Sequence, residues 1–291
     1  MQNKAVDALV AGFLDGGCSF TTNVPGAKSQ LIFEKLGGKN ISINERVAVE
    51  TAYGASLAGK RSVSLFKNVG LNVSLDPYVH AVFNGVEAGM VIVVIDDIEV
   101  TSSPERQDSR ALRDMFGGLW LEPNSVQNAY DFARDAFSYS EKIDMPVVIR
   151  LTNQFFRLSG DFVRKNKKSA FKLQKINREK YINNWLVRNK RYKQNLLLVD
   201  KLVDSLYQKP SFSKEKGIII VGAAEEYLSK EDFKNADILY LNSYPFPKKL
   251  VNKFLNNHQE VEVFELGFDY ATSRISLLAE NENKIKYHPI T

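Results

Sequence analysis

Apolar residues near the start of the chain fall at Val6, Leu9, Val10, Phe13 and Leu14, the spacing of one helix face. The Gly16-Gly17 pair ends that helix. Ser19 to Val24 reads as a short strand, Pro25-Gly26 as a turn and Ser29 to Leu36 as a second helix. The stretch Ile41 to Asn72 then reads as a strand end, a helix, and a strand over Ser62–Phe66 that runs into a loop over Lys67–Asn72. Asn44 is placed to cap this helix by accepting a backbone N–H bond. Glu45 falls in its first turn, where the helix dipole favours a carboxylate. Behind it come Ala48, Ala52, Gly54, Ala55, Ser56, Ala58 and Gly59, small enough for another backbone or a flat ligand to come close.

Further along, Asp76 to Glu87 reads as a helix with Asp76 as N-cap and Pro77 at its first position. Met90 to Ile95 is a continuous apolar run rich in β-branched residues, suited to a strand covered on both faces. A polar loop, Thr101–Arg110, separates it from a short strand, Leu119–Leu121. Val126 to Glu141 places Ala129, Phe132, Ala133, Ala136 and Phe137 on one helix face, and Pro146–Leu151 is another buried strand. Strands alternating with helices predict a doubly wound parallel α/β domain over residues 1–157. In such sheets ligands lie beyond the carboxyl ends of the strands. Residues 158–195 lose aliphatic content and gain Lys and Arg, which predicts a solvated linker with a partly helical end. Residues 196–291 read as a smaller α/β domain: helices near Leu196–Tyr207 and Lys248–Asn256, strands at Gly217–Val221, Ile238–Leu241 and Val261–Phe264. Its turn Gly222-Ala223-Ala224 lacks the spaced glycines of a dinucleotide site and is a tight strand-to-helix turn.

Charge and cysteine content narrow the chemistry. Much of the excess positive charge behind the net +5 lies between Arg164 and Lys193 and forms no aromatic-interleaved basic platform, which argues against a nucleic-acid partner. The single cysteine, Cys18, excludes an intrachain disulfide, a cysteine-based zinc site and a cysteine-ligated iron–sulfur cluster within this chain. His80, His258 and His288 are scattered, so neither a histidine metal site nor a Ser-His-Asp triad is expected. There is no secretory signal and no apolar run of about 18 residues, so a soluble cytoplasmic protein without a membrane partner is expected.

The segment NERVAVETAYGASLAGKRSVSLFKNVGLNVSLDP resembles the pyrimidine-binding (PYR) domain of thiamine-diphosphate 2-oxoacid:ferredoxin oxidoreductases, and most resembles the alpha subunit of indolepyruvate ferredoxin oxidoreductase. DDIEVTSSPERQDSRAL and EPNSVQNAYDFARDAFSYSEKIDMPVVIRLT are similar to later parts of the same domain. Residues 217–270, including LNSYPFPKKLVNKFL, are similar to the transketolase-C-like domain that follows it.

The resemblance implies that Glu45 is the glutamate that hydrogen-bonds the aminopyrimidine ring and activates the cofactor, whose organic chemistry is its own. It implies cofactor contacts from Pro25, Gly26, Glu45, Lys67, Gly70, Leu71 and Asn72, and substrate contacts from Lys28, Ser29, Lys67, Asn68 and Arg110. Lys67 would stabilise a substrate carboxylate or oxyanion. Gln107, Asp108, Ser109 and Arg110 match a second loop, in which Arg110 either clamps an acidic group or makes an internal ion pair. Three departures lie where substrate would approach: Pro25-Gly26-Ala27-Lys28 in place of Pro-Gly-Thr-Pro, Asn68 in place of a histidine, and Gln154 in place of an arginine. They point away from an aryl pyruvate.

The diphosphate-binding (PP) signature is missing; Gly160-Asp161-Phe162 with Asn183-Asn184 is a chance likeness. The resemblance therefore implies a separate PP-domain beta subunit that carries Mg2+ and completes the thiamine-diphosphate site in a hetero-oligomer, with ferredoxin reached through a partner. The expected reaction is 2-oxoacid decarboxylation with oxidative transfer to coenzyme A. The alternatives are a non-oxidative decarboxylase or carboligase subunit, and a non-catalytic PYR-like binding or regulatory module.

Overall fold

The computed structural model describes residues 3–26, 28–99, 106–172, 181, 184–279 and 285–290. Residue 100, residues 101–105 of the predicted polar loop, and 173–180 and 182–183 of the predicted linker lie outside them. The chain divides into two compact units, Met1–Val199 and Asp200–Thr291.

In the first unit a two-residue strand β1 (Asn3–Lys4) leads into helix α1 (Ala5–Asp15). There follow β2 (Phe20–Asn23), α2 (Ser29–Lys35), β3 (Asn40–Ile41), α3 (Glu45–Leu57), β4 (Ser62–Lys67), α4 (Asn68–Val73) and α5 (Leu75–Asn84). Then come β5 (Met90–Asp96), α6 (Arg110–Phe116), β6 (Leu119–Leu121), α7 (Val126–Ile143), β7 (Val147–Thr152) and β8 (Ser159–Gly160). The strands pair in parallel in the order β3-β2-β4-β5-β7-β6; β1 and β8 form a separate antiparallel pair. The interior of this sheet is β5, all of whose residues are buried, as its unbroken apolar run requires. The chain leaves β2 for β3 on one side and returns to β4 on the other. The strand order thus reverses at the β2–β4 boundary, and the crevice beyond their carboxyl ends is where open α/β sheets hold ligands.

Helix α7 covers β5 and β7 and packs along α1. Close approach is possible because Gly12 has no side chain: a Cβ there would stand 2.4 Å from the Tyr130 carbonyl oxygen and 2.8 Å from the Ala133 Cβ. Gly12→Val is accordingly expected to destabilise this unit by about 1–3 kcal/mol through overpacking, read as a lower urea midpoint. A wild-type midpoint would show that α1 and α7 separate freely.

Several predicted boundaries move. The expected loop Lys67–Asn72 is the last residue of β4 followed by a single short helix. The helix expected over Asp76–Glu87 begins at Leu75 and stops at Asn84, because Gly85 turns the chain with φ of 80°. Helix α6 was not anticipated. The described part of the basic segment is largely exposed, as expected of a solvated linker, and it is also tied to the first unit by ion pairs. Arg164 pairs with Asp15 (2.6 Å), Lys165 with Asp131 (2.5 Å) and Lys168 with Asp135 (2.9 Å), while Arg134 donates to the Asn166 carbonyl (2.8 Å). Positive charge unbalanced in the sequence is thus matched by carboxylates of α1 and α7. Asp15 is 1% exposed. The Arg164 guanidinium, with help from the Tyr130 hydroxyl, holds its carboxyl below the usual range against the opposing effect of burial. Helix α8 (Trp185–Leu206) starts eleven residues before the predicted Leu196 and crosses the division between the units.

The second unit contains β9 (Lys216–Val221), α9 (Lys230–Asn235), β10 (Ala236–Leu241), β11 (Ser243–Tyr244), α10 (Lys248–Asn257), β12 (Glu260–Leu266), α11 (Tyr270–Ser276) and β13 (Ile285–Ile290). A parallel sheet runs in the order β10-β9-β12-β13. The turn after β9 holds Gly222 at φ of 61° and continues as a 3-10 turn, Ala224–Tyr227, rather than as a longer helix. Edge strand β13, with Pro289 in it, was not predicted. Among the described residues no helix is long and apolar enough to cross a membrane.

Candidate active site

The carboxyl edge of the first unit's sheet collects most of the residues singled out from the sequence. After β2, Pro25-Gly26 turns the chain into α2. Ser29, at the start of α2, is buried and donates its hydroxyl to the Val24 carbonyl (3.2 Å) while accepting from the Gly26 amide (3.3 Å). That hydroxyl is spent on shaping the turn. Lys28 is exposed, its Nζ 4.5 Å from the centre of the Phe156 ring, a cation–π contact with the 3-10 turn that follows β7.

Asn44 caps α3 as the sequence suggests, its side chain accepting from the Val47 amide at 2.9 Å. Glu45 is partly buried and directed at the backbone of α4: a Cβ on Gly70 would lie 2.3 Å from the Glu45 Cγ and 2.6 Å from Oε1. Only glycine tolerates this contact. The helix α4 that presents Gly70 follows directly on β4, so the carboxylate stands at the reversal in strand order. Of the other residues there, Asn68, Gly70 and Leu71 are buried, and Asn72 is exposed. The Asn68 Nδ2 donates to the Gln107 carbonyl (3.3 Å), and its buried Oδ1 has no hydrogen-bond partner among the described residues. Lys67 is partly buried, its Nζ 3.9 Å from the Asp97 carboxylate, which also accepts from Asn153 Nδ2 at 2.8 Å. Gly26 lies against the Lys67 stem, 3.6 Å from its Cβ to a methyl built on the glycine.

Arg110 takes the second of its two readings. It has no exposed surface and chelates Asp108, with Nε 2.9 Å from Oδ1 and Nη2 in contact with Oδ2. Asp108 belongs to a buried charge cluster that the sequence reading missed. Arg150, fully buried in β7, hydrogen-bonds Asp96 (2.6 Å), forms an ion pair with Glu122 (2.7 Å) and lies 3.6 Å from Asp108. Asp96 also accepts from the Ser109 amide at 3.0 Å. Burial works against ionisation of Asp108, but the Arg150 and Arg110 charges outweigh it and hold its carboxyl well below the usual range. At Asp96 burial wins and raises the pKa, with the Asp108 charge adding to it and Arg150 opposing. Arg150 keeps its proton more firmly than usual: desolvation opposes this, and Glu122, Asp108 and Asp96 overcome it. The only signals in the sequence were charges inside apolar runs, Arg150 in VVIRLT and Asp96 at the end of MVIVVID.

No family model matches the chain. It is 31% identical over 284 residues to the indolepyruvate oxidoreductase subunit IorA of Pyrococcus horikoshii, covering 89% of this chain and 44% of that protein. It is 30% identical over 285 residues to IorA of Archaeoglobus fulgidus, covering 89% and 45%. The chain belongs to the 2-oxoacid:ferredoxin oxidoreductase family, on the alpha-subunit side. The fold agrees. A 2-oxoglutarate:ferredoxin oxidoreductase from Magnetococcus marinus superposes over the whole of this alpha-subunit chain and 62% of its own, with a TM-score of 0.80 at 16% identity. The chain spans less than half the length of the IorA proteins it matches.

Local chemistry fits an aminopyrimidine. In its protonated or imino form such a ring needs a fixed, partly desolvated carboxylate to accept its ring N–H. Glu45 held over Gly70 is a group of that kind at the reversal in strand order.

Proposed function

We propose that this chain is the alpha subunit of a thiamine-diphosphate-dependent 2-oxoacid oxidoreductase. Its site is completed by a beta subunit that binds the diphosphate through Mg2+ and passes electrons to ferredoxin. The observation that carries this reading is the Glu45 carboxylate, held over Gly70 at the carboxyl edge where the strand order reverses. The cofactor, when bound, supplies the carbon nucleophile for decarboxylation of the 2-oxoacid, whose acyl group is then oxidised and transferred to coenzyme A.

This chain's own residues bind and orient. Glu45 accepts the ring N–H of the pyrimidine and keeps that proton shared across a short bond. Pro25 and Gly26 present backbone and apolar surface to the flat ring, the buried Gly70 and Leu71 act from beneath by placing Glu45 and α4, and Asn72 closes the end of α4. Lys67 faces the carboxylate of the 2-oxoacid, with Asp97 at 3.9 Å steadying its ammonium. Lys28 and Asn68 border the place where the substrate's side chain enters. Asn68 and Gln154 put less charge and no titrating imidazole near the reaction centre, which supports a 2-oxoacid other than an aryl pyruvate. The buried Ser29 and Arg110 act through the loops they shape.

The test is co-purification with the product of a neighbouring gene that carries a PP domain, followed by titration of the complex with thiamine diphosphate and Mg2+. Saturable binding by the complex and by neither chain alone is expected, with acyl-CoA formed from a 2-oxoacid. Aldehyde in place of acyl-CoA would favour the non-oxidative reading. A chain that assembles with no such partner and binds no thiamine diphosphate would leave only the non-catalytic module.

A further inference from the structure

We infer that Gln107 is a positioning residue for the proposed carboxylate, acting through α4; the link to catalysis, though not the tether itself, rests on the function proposed above. Helix α4 has six residues, far too few to be stable by itself. Its third residue is Gly70, on which Glu45 rests, so whatever places α4 also places the surface under the carboxylate. The described contacts converge on one tether. Gln107 and Asn72 exchange two amide bonds, Asn72 Nδ2 to Gln107 Oε1 (2.9 Å) and Gln107 Nε2 to Asn72 Oδ1 (3.0 Å). The Gln107 carbonyl takes a third from Asn68 Nδ2 at 3.3 Å. Both ends of α4 are therefore joined to one residue of another segment.

That segment is itself anchored. The next residue, Asp108, is gripped by Arg110 and lies 3.6 Å from Arg150; the one after, Ser109, gives its amide to Asp96. Asp96 ends β5 and Arg150 sits in β7, in the middle of the sheet. A continuous path thus runs from the sheet through the buried charge cluster to Gln107, then to α4, Gly70 and Glu45. The cluster is too deep to meet a ligand. Its position explains it as the foundation of this loop.

A reciprocal swap tests the tether. Gln107→Ala and Asn72→Ala each remove both amide bonds from a surface position and leave the core intact. Gln107→Asn combined with Asn72→Gln keeps the summed reach of the pair. In the full chain, amide hydrogen exchange over residues 68–74 is expected to accelerate about ten-fold in each alanine variant, with β4 and β5 unchanged. The swapped pair should return it to the wild-type rate. Unchanged exchange in the alanine variants, or failure of the swap to restore it, overturns the tether. In the complex with the beta subunit, the C2-proton exchange of thiamine diphosphate should fall and recover in the same order, with the KM for the 2-oxoacid unmoved. Faster α4 exchange with full cofactor activation would overturn the positioning role. If the wild-type complex binds no thiamine diphosphate, the proposed function falls, and amide exchange still decides whether Gln107 holds α4.

Discussion

Glu45→Gln is expected to leave the fold and subunit assembly intact and to slow C2-proton exchange of bound thiamine diphosphate by about 10²–10⁴-fold, the usual contribution of a positioned acid–base group. The substitution keeps the size of the side chain and its ability to accept one bond, and removes the charge that would share a proton with the ring. Stability should change little, because the carboxylate is only partly buried and its chief neighbour is glycine backbone. Gly70→Ala is the complementary change. The new methyl group would stand 2.3 Å from the Glu45 Cγ and has to push the side chain aside. It therefore displaces the carboxylate without altering its chemistry. Loss of C2 exchange in both variants, with normal assembly, would assign the function to where the group is held as well as to its charge. Normal exchange in Glu45→Gln would remove Glu45 from the mechanism. Normal exchange in Gly70→Ala would mean that α4 yields easily, against the tether drawn from Gln107.

How much of this could be read beforehand depends on the range of the interaction. Strand β5 and helix α7 are legible because their signals are local: an unbroken apolar run, and a single face of Ala and Phe residues. The cap at Asn44 is legible for the same reason, being settled within three residues. Glu45 is intermediate. Its place in a first turn follows from the residues, whereas its orientation depends on Gly70, 25 positions later, and its role was supplied by resemblance alone. Helix α4 was misread as a loop because KNVGLN has no apolar period, and the bonds that secure it come from Gln107, 35 residues away from Asn72. The exposure of the basic segment is legible from its composition, but its partners Asp15 and Asp131 are not, because they are distant in sequence. Least visible was the charge cluster, whose Arg150–Asp96 bond spans 54 positions.

That cluster carries the largest expected effect on stability. Arg150→Met should destabilise the first unit by about 3–5 kcal/mol, the range found when one partner of a buried ionic network is removed. Asp96, Asp108 and Glu122 would remain buried, with the Arg110 guanidinium still paired to Asp108. The pH dependence fixes the cause. In the wild type the Asp108 carboxyl is depressed below its unfolded value of about 3.9. Its contribution is therefore fully present above that pH and is lost as the pH falls through the folded pKa. Asp96 is shifted upward by burial, so its effect has the opposite sign: it costs stability at neutral pH, and the cost is relieved as the solution becomes acidic. Removing the Arg150 charge should push Asp108 in the direction Asp96 already takes, and Asp96 further along it. The stability gap between Arg150→Met and wild type should then narrow as the pH is lowered from about 7.5 to about 5. Urea midpoints at the two pH values measure it. Arg150→Lys should fall between the two proteins, since an ammonium supplies the charge but cannot bond Asp96 and Glu122 along two edges of one plane. A gap independent of pH would trace the loss to packing around the removed guanidinium. In that case the carboxylates are not held ionised by Arg150, and the loop that carries Gln107 must be anchored by its backbone bond to Asp96.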